Sequence, residues 1–506
     1  MFLIFPPVAK PCEPPAGIAR LSGMLSRHGK EHHILDANIE GLLYLSGQEP
    51  PPDAPSDVWT RRAFRDCGAN LAALKNKDIY GNLARYTRAV RDISRVLAKA
   101  TPPSSTVGLA DYAHTGLSPI RSTDLLTAAE QPEQNPFYPY FRSRLSALLG
   151  RKEPAVVGIS LNYLSQALTA FSMIGFIRRE YPGIQVILGG GLVTSWARRL
   201  GGRNPFAGLV DHMIAGPGEA PLLSLLGVDA ADRTLPRPDY RPLPVDQYLS
   251  PGFILPYSAS TGCYWNKCAF CPEQAEGNPY IPVPPQQVVT DLLALKDGSD
   301  PVLIHLLDNA ISPAVLNALC ADNPGTPWYG FARIGPHLAD ADFCFALKQA
   351  GCSMLKLGIE SGDQRLLDSL DKGASVEMAS AVLKNLKKAG IATYVYLLFG
   401  TPEETESAAR KTLEFTVRQS DCIDFLNLAI FNMPVCSQIT PGIRTKKFYE
   451  GDLSLYTGFT HPFGWDRKRV RLFLEHEFKR HPAVSRILKN DPPVFTSNHA
   501  PFFCGQ

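Results

Sequence analysis

Residues 260–274 read STGCYWNKCAFCPEQ, with four residues between Cys263 and Cys268 and two between Cys268 and Cys271. The rest of the chain's 11 cysteines are scattered. Three soft thiolates on one flexible loop can hold three irons of a cubane cluster and leave the fourth iron open to a small molecule. A structural zinc site is the rival reading. It wants four closed ligands, and no histidine or second cysteine pair follows within the loop. Three buried thiols with only a packing role fit less well, because CYWNKC (263–268) is too polar and turn-like for a core segment.

Outward from the loop, strand and helix patterns alternate. Candidate strands are FILPYSAS, VLIHLLD, WYGFAR, MLKLGIE, TYVYLLFG and DFLNLAI, most of them separated by helical stretches such as VVTDLLALKD and ASAVLKNLKKAG. Six such units over residues 251–430 predict a partial (β/α)6 barrel, with the cysteines just after its first strand, on the face where strand C-termini gather active-site loops. Upstream, MFLIFPP, HHILDAN, VVGISL (156–161), IQVILGGG (184–191) and HMIAGPGEA (212–220) read as strands of one doubly wound, Rossmann-like domain over 1–233. An insertion at about 46–150 is too long for a plain loop and reads as a helical subdomain or lid. TLPRPDYRPLPVDQY marks a linker at 234–250, and 431–506 form a C-terminal extension. The fold class is therefore α/β throughout.

Fifty-one basic residues against 48 acidic ones give a formal charge of +3. That balance speaks against nucleic-acid binding or adhesion to an acidic membrane. No apolar run is long enough to span a bilayer, and MFLIFPPVAK lacks the basic leader of a signal peptide. An odd, uneven cysteine set in a large chain points to a reducing cytoplasm. Cys320, Cys344 and Cys352 read as small core residues, while Cys12, Cys67 and Cys504 are isolated. Cys422 and Cys436 lack distinctive spacing for a second cluster. DRKRVRLFLEHEFKR reads as a solvated helix packing Val470, Phe473, Leu474 and Phe478 inward. The tail SNHAPFFCGQ is either packed or a plug at the barrel mouth.

A three-cysteine loop after the first barrel strand, with Phe270 just before the last cysteine, resembles the radical S-adenosylmethionine (SAM) enzymes. The commonest spacing there has three residues between the first two cysteines. The four found here are similar to a subset that carries an N-terminal cobalamin-type domain. The resemblance implies a [4Fe-4S] cluster on Cys263, Cys268 and Cys271 that cleaves SAM reductively to methionine and a 5′-deoxyadenosyl radical. It also implies Glu360 and Ser361 of LKLGIES near the SAM ribose and carboxylate, and Gly400 of FGTPEET near the adenine. Asp308 falls near the SAM amino group, and Arg333 near a carboxylate in the barrel mouth.

In the N-terminal part, FPP, ILDAN and the glycine turns resemble the cobalamin-binding domain. That places Asp36, Asn38, Ser160, Gly189, Gly190, Gly216 and Gly218 at a corrin. Asp-x-His-x-x-Gly is missing, and His32, His33 and His212 lack its context. Either cobalamin binds without a protein histidine or the domain has lost it. The leading expectation is cobalamin-dependent methyl transfer to an unactivated carbon of a small-molecule or peptide substrate, with a one-electron reductant such as flavodoxin or ferredoxin. A radical cyclisation or rearrangement is the alternative. A non-catalytic metal-binding or electron-transfer protein is the alternative of another class.

Overall fold

The run FLIF makes β1 (Phe2–Phe5), buried at every position, which is the pattern of a strand covered on both faces. The computed structural model describes residues 1–49, 57–150, 154–228, 235–437, 443–447, 450–493 and 499–503. They divide into two compact units, the first being the described residues within 1–254 together with 450–455 and Pro493.

In the first unit, β1 joins β2 (His33–Asp36), β3 (Val156–Ser160), β4 (Gln185–Gly189) and β5 (His212–Met213). Their order is β2-β1-β3-β4-β5, with every pair parallel. Chain order reverses between β1 and β3. In doubly wound sheets that reversal opens a crevice beyond the strand C-termini, where ligands bind. Leu3, Phe5, Ile18, Met24 and Leu25 share one apolar cluster, so the helix Ala16–Arg27 packs on the sheet through its buried stripe. The helix Leu164–Glu180 is buried continuously from Gln166 to Ile177.

The insertion is helical over Val58–Leu74, Leu83–Lys99, Ser122–Glu130 and Tyr138–Leu149. It also holds an antiparallel hairpin, Ser105–Val107 against Tyr112–His114, that composition did not signal. It is a packed layer of the unit and not a lid. The Ala129 carbonyl lies where a Cβ on Gly175 would stand, 1.8 Å away, and the Tyr140 hydroxyl donates to Glu40 at 2.9 Å. Its proline-rich start falls largely on 50–56, outside the described residues.

The proline-rich stretch read as a linker is instead a strap on the first unit. Asp239 N–H donates to Ala19 O at 2.8 Å and Leu249 N–H to Pro11 O at 2.7 Å. Arg237 O comes within 2.0 Å of where a Gly23 Cβ would stand. Tyr240, Leu243, Tyr248 and Leu249 are buried. The extension beyond 431 is also shared out. Glu450–Leu455 belongs to the first unit, where Leu453 is buried and its N–H bonds Ile120 O at 3.0 Å.

The second unit holds β6 (Ile254–Tyr257), β7 (Leu303–Leu306), β8 (Trp328–Ala332), β9 (Cys352–Glu360), β10 (Ala392–Phe399) and β11 (Phe425–Ile430). They lie side by side in chain order, parallel from β7 to β11. Successive parallel crossovers of one hand curl such a sheet into an open barrel. One face collects His305, Tyr329, Phe331, Lys356 and Tyr396. His305 stacks on Tyr329 at 4.3 Å, Lys356 Nζ lies 3.0 Å from His305 Nε2, and Phe331 meets Tyr396 at 5.0 Å.

His499 packs on Tyr394 and Phe425 near the starts of β10 and β11, so the described part of the tail is packed at the end opposite the cysteine loop. Residues 494–498 and Cys504 lie outside the described residues. Cys344 and Cys352 are fully buried, and the helix Arg467–Phe473 turns Val470 and Phe473 inward, both as expected. Among the described residues no helix is long and apolar enough to cross a membrane.

Candidate active site

The cysteine loop leaves β6 through the short strand Ser260–Thr261, which returns against Ile281–Pro282. Gly262, at φ +70°, closes the loop, since a Cβ there would meet Pro279 O at 2.4 Å. Asn266 takes the left-handed region at φ +46°, so the longer spacing between the first two cysteines is absorbed in a tight turn. Phe270 packs on Leu366, Leu370 and Ala408, and Ala269 N–H donates to Leu370 O at 3.1 Å. The loop is thereby pinned to the helix Gln364–Ser369.

Two cations converge on it. Arg333, just beyond β8, directs Nη1 at Cys268 Sγ (3.7 Å) and Nη2 at Lys372 O. Lys372 Nζ donates to Glu360 Oε1 at 2.8 Å and lies 5.6 Å from the Phe270 ring centre. Burial pushes the Cys268 thiol up, against the pull of Lys372 and Arg333. Burial also raises Cys271, against the N–H groups of Gln274 and Glu273 in the short helix that follows. Neighbouring cations and helix N–H groups are what make a cysteine a thiolate ligand.

Among the described residues no three Cys, His, Asp or Glu side chains converge tightly enough to grip one metal ion. A cubane places each thiolate on its own iron, and three cysteine sulfurs with a guanidinium at the middle one suit that chemistry.

The other barrel residues divide. Glu360 ends β9 with φ +68°, buried and paired with Lys372 beside the cysteine loop. Gly400, at φ +80°, turns the chain beyond β10, and a Cβ there would approach Val470 at 3.3 Å. Its N–H bonds Glu404, which also accepts from Trp465 Nε1 at 2.9 Å. Asp308 and Ser361 turn into the fold. Asp308 accepts from Ala259 N–H at 3.0 Å and from the Ser260 hydroxyl, fixing the strand end from which the loop departs. Ser361 meets Thr412 Oγ1 at 3.0 Å and accepts from Asp363 N–H. Lys372, Trp265 and Glu404 were not singled out from sequence. Only the aromatic content of CYWNKC hinted at Trp265.

In the first unit, the C-terminal ends of β3, β4 and β5 form a glycine-rich ledge. Gly190, at φ +112°, could carry no side chain, because a Cβ would stand 2.4 Å from Leu161 O. Asn162 stitches the ledge, donating to Ser160 Oγ at 3.0 Å and accepting from Gly191 N–H at 2.9 Å. Gly216 N–H bonds Thr194 Oγ1 at 2.9 Å. Gly216 is exposed, and Gly189 and Gly218 are half-buried. A backbone surface of this kind admits a flat ligand.

Asp36 and Asn38 are not on that surface. They are 2% and 1% exposed. Asp36 caps the helix Ala37–Ser46 and accepts from the Tyr248 hydroxyl, and burial lifts its carboxyl to about 6. Asn38 bonds both the N–H and the carbonyl of Ala9, at 2.8 and 3.1 Å. His33 and His212 open β2 and β5, at the strand ends away from the ledge. His32 bonds Ser22 at 2.7 Å.

Residues 257–416 match the radical SAM superfamily. An uncharacterized methyltransferase of Pyrococcus horikoshii is 22% identical over 327 residues, 57% of this chain and 69% of that protein. The bacteriochlorophyllide d C-12(1)-methyltransferase of Chlorobaculum tepidum is 31% identical over 103 residues, 20% of each chain. Among solved structures, TsrM of Kitasatospora setae, a radical S-adenosylmethionine methyltransferase with cobalamin and a [4Fe-4S] cluster bound, superposes with a TM-score of 0.53 at 16% identity, covering 92% of this chain and 84% of that one. The same enzyme with tryptophan substrate and a SAM analogue gives 0.54 at 15% identity. At such identities the likeness is one of fold.

Proposed function

We propose that this chain, a radical SAM protein by its residues 257–416, cleaves S-adenosylmethionine reductively and uses cobalamin on its N-terminal unit to methylate an unactivated carbon of a small molecule. The chemistry belongs to the bound groups: the cluster supplies one electron to the sulfonium, and the corrinoid carries the methyl group.

The protein holds and insulates them. Cys263, Cys268 and Cys271 would hold the cluster through three thiolates, and the cluster would bind and reduce SAM. Arg333 and Lys372 offset the thiolate charge at Cys268. Glu360 offers a carboxylate to the ribose hydroxyls, and Gly400 lets backbone approach the adenine. Phe270 and the apolar residues under it hold the loop and exclude water. Asp308 fixes the strand end from which the loop departs, and Ser361 ties the end of β9 to Thr412 and Asp363. On the first unit, the ledge of Ser160, Gly189, Gly190, Gly216 and Gly218 would receive the corrin face, with no histidine offered to cobalt.

The observation that carries this reading is the triple-cysteine loop, its spacing absorbed at Asn266 and its middle thiol faced by a guanidinium. Anaerobic reconstitution with iron, sulfide, cobalamin, SAM and a one-electron donor tests it. 5′-Deoxyadenosine with S-adenosylhomocysteine is the expected outcome. 5′-Deoxyadenosine alone would mean a rearrangement or cyclisation. Neither product would leave a non-catalytic metal protein.

A further inference from the structure

Trp265 occupies the stretch that lengthens the cysteine spacing, and its ring is held on several sides. Its Nε1–H donates to Asp371 O at 2.9 Å. A Cβ on Gly373, itself at φ +66°, would stand 2.1 Å from the ring carbon Cζ2, so the indole lies directly against the glycine backbone. The Arg333 guanidinium stacks on the ring at 4.1 Å, and Lys267 Nζ lies 5.0 Å from its centre. Arg333 is further tied through Nη2 to Lys372 O, which leaves Nη1 aimed at Cys268 Sγ, 3.7 Å away. Several contacts thus fix the direction of one N–H.

We propose that Trp265, seated on Gly373, is a positioning residue that holds Arg333 against the Cys268 sulfur and so sets how readily the cluster accepts its electron. This rests on the reading of Cys263, Cys268 and Cys271 as cluster ligands. Reduction adds negative charge that is shared with the thiolate sulfurs. An N–H donated to one of them, from a group that is always cationic, stabilises the reduced state and raises the potential. A flexible cation would do this less well, because it would swing to solvent. The indole face removes that freedom.

The test compares full-length wild type with Trp265→Leu, Trp265→Phe, Gly373→Ala and Arg333→Met, each reconstituted anaerobically. Iron and sulfide content are measured, together with the midpoint potential from a redox titration followed by electron paramagnetic resonance without SAM. Arg333→Met and Trp265→Leu are expected to keep their iron. Each should lower the reduced-to-oxidised ratio at a fixed potential about tenfold, a shift of about 59 mV for a one-electron couple. Gly373→Ala, which evicts the ring, should follow them, and Trp265→Phe, which keeps an aromatic face, should stay near wild type. In the Arg333→Met background, Trp265→Leu should add nothing.

Unchanged potentials in the iron-loaded variants would overturn the proposal and leave the assigned function standing. Loss of iron in both Trp265→Leu and Gly373→Ala would also overturn it, since the indole would then only hold the loop. Failure of the wild type to load a cluster would instead remove the functional reading beneath it.

Discussion

Glu404 is fully buried behind the Gly400 turn, and burial lifts its carboxyl from the ordinary 4.5 to about 7, against the N–H groups of Gly400 and Trp465. The fold therefore keeps a proton that the unfolded chain releases. The stability tied to that proton is complete below pH 4.5 and gone above about pH 7. Glu404→Gln retains an acceptor oxygen and cannot ionise. Its loss of stability between pH 5 and pH 8, followed by denaturant titration, should be smaller than that of wild type by on the order of 2 kcal/mol. An unchanged pH dependence would mean the carboxyl is neutral in neither state. Residues of this kind show why side-chain roles were only partly legible. Cysteines in a tight cluster announce a ligand set, whereas an Asp or Ser at a strand end looks the same whether it faces a cofactor or its own backbone. The resemblance places Asp308 and Ser361 at SAM, and in the fold they bond Ala259, Ser260, Thr412 and Asp363. Asn38 is the clearest case. Asn38→Ala strands both polar groups of the Ala9 peptide backbone and should cost about 1–3 kcal/mol in urea unfolding. Corrinoid uptake by the folded variant should be unchanged, and a selective loss of uptake would return Asn38 to the ledge.

At the scale of elements, periodicity carried most of the reading. Runs such as FLIF, VVGIS and LKLGIE are buried almost throughout, so strands and their order followed from the pattern. What periodicity could not show is where an irregular segment lies. The stretch 235–250 is rich in proline, which fits a free spacer and a packed strap equally well. The deciding signal is Gly23, a glycine inside a helix whose missing side chain makes room for Arg237 O. Gly23→Ala forces a methyl group against that carbonyl and should destabilise the first unit by about 1–3 kcal/mol, as overpacking does. Thermal unfolding read through the strap tyrosines Tyr240 and Tyr248 checks it. A neutral result would mean the strap is loosely held. The hairpin inside the insertion was missed for a related reason: its strands are 3 residues each, too short for a period to register.

For the whole molecule, the two alternations of strand and helix were enough to expect a doubly wound unit and a barrel, and both are present. The fate of the C-terminal extension was not legible, because Glu450–Leu455 is irregular and joins the first unit through the Leu453 N–H on Ile120 O and the Asp452 carboxylate on the Ser122 N–H, some 330 residues away. Everything proposed for function depends on one iron of a thiolate-held cluster remaining open. The direct measurement is the electron paramagnetic resonance spectrum of the reduced, reconstituted protein, taken before and after SAM is added. The spectrum should change on addition, and Cys268→Ala should show neither the cluster signal nor the response. A spectrum indifferent to SAM, or zinc recovered in place of iron, would contradict the account.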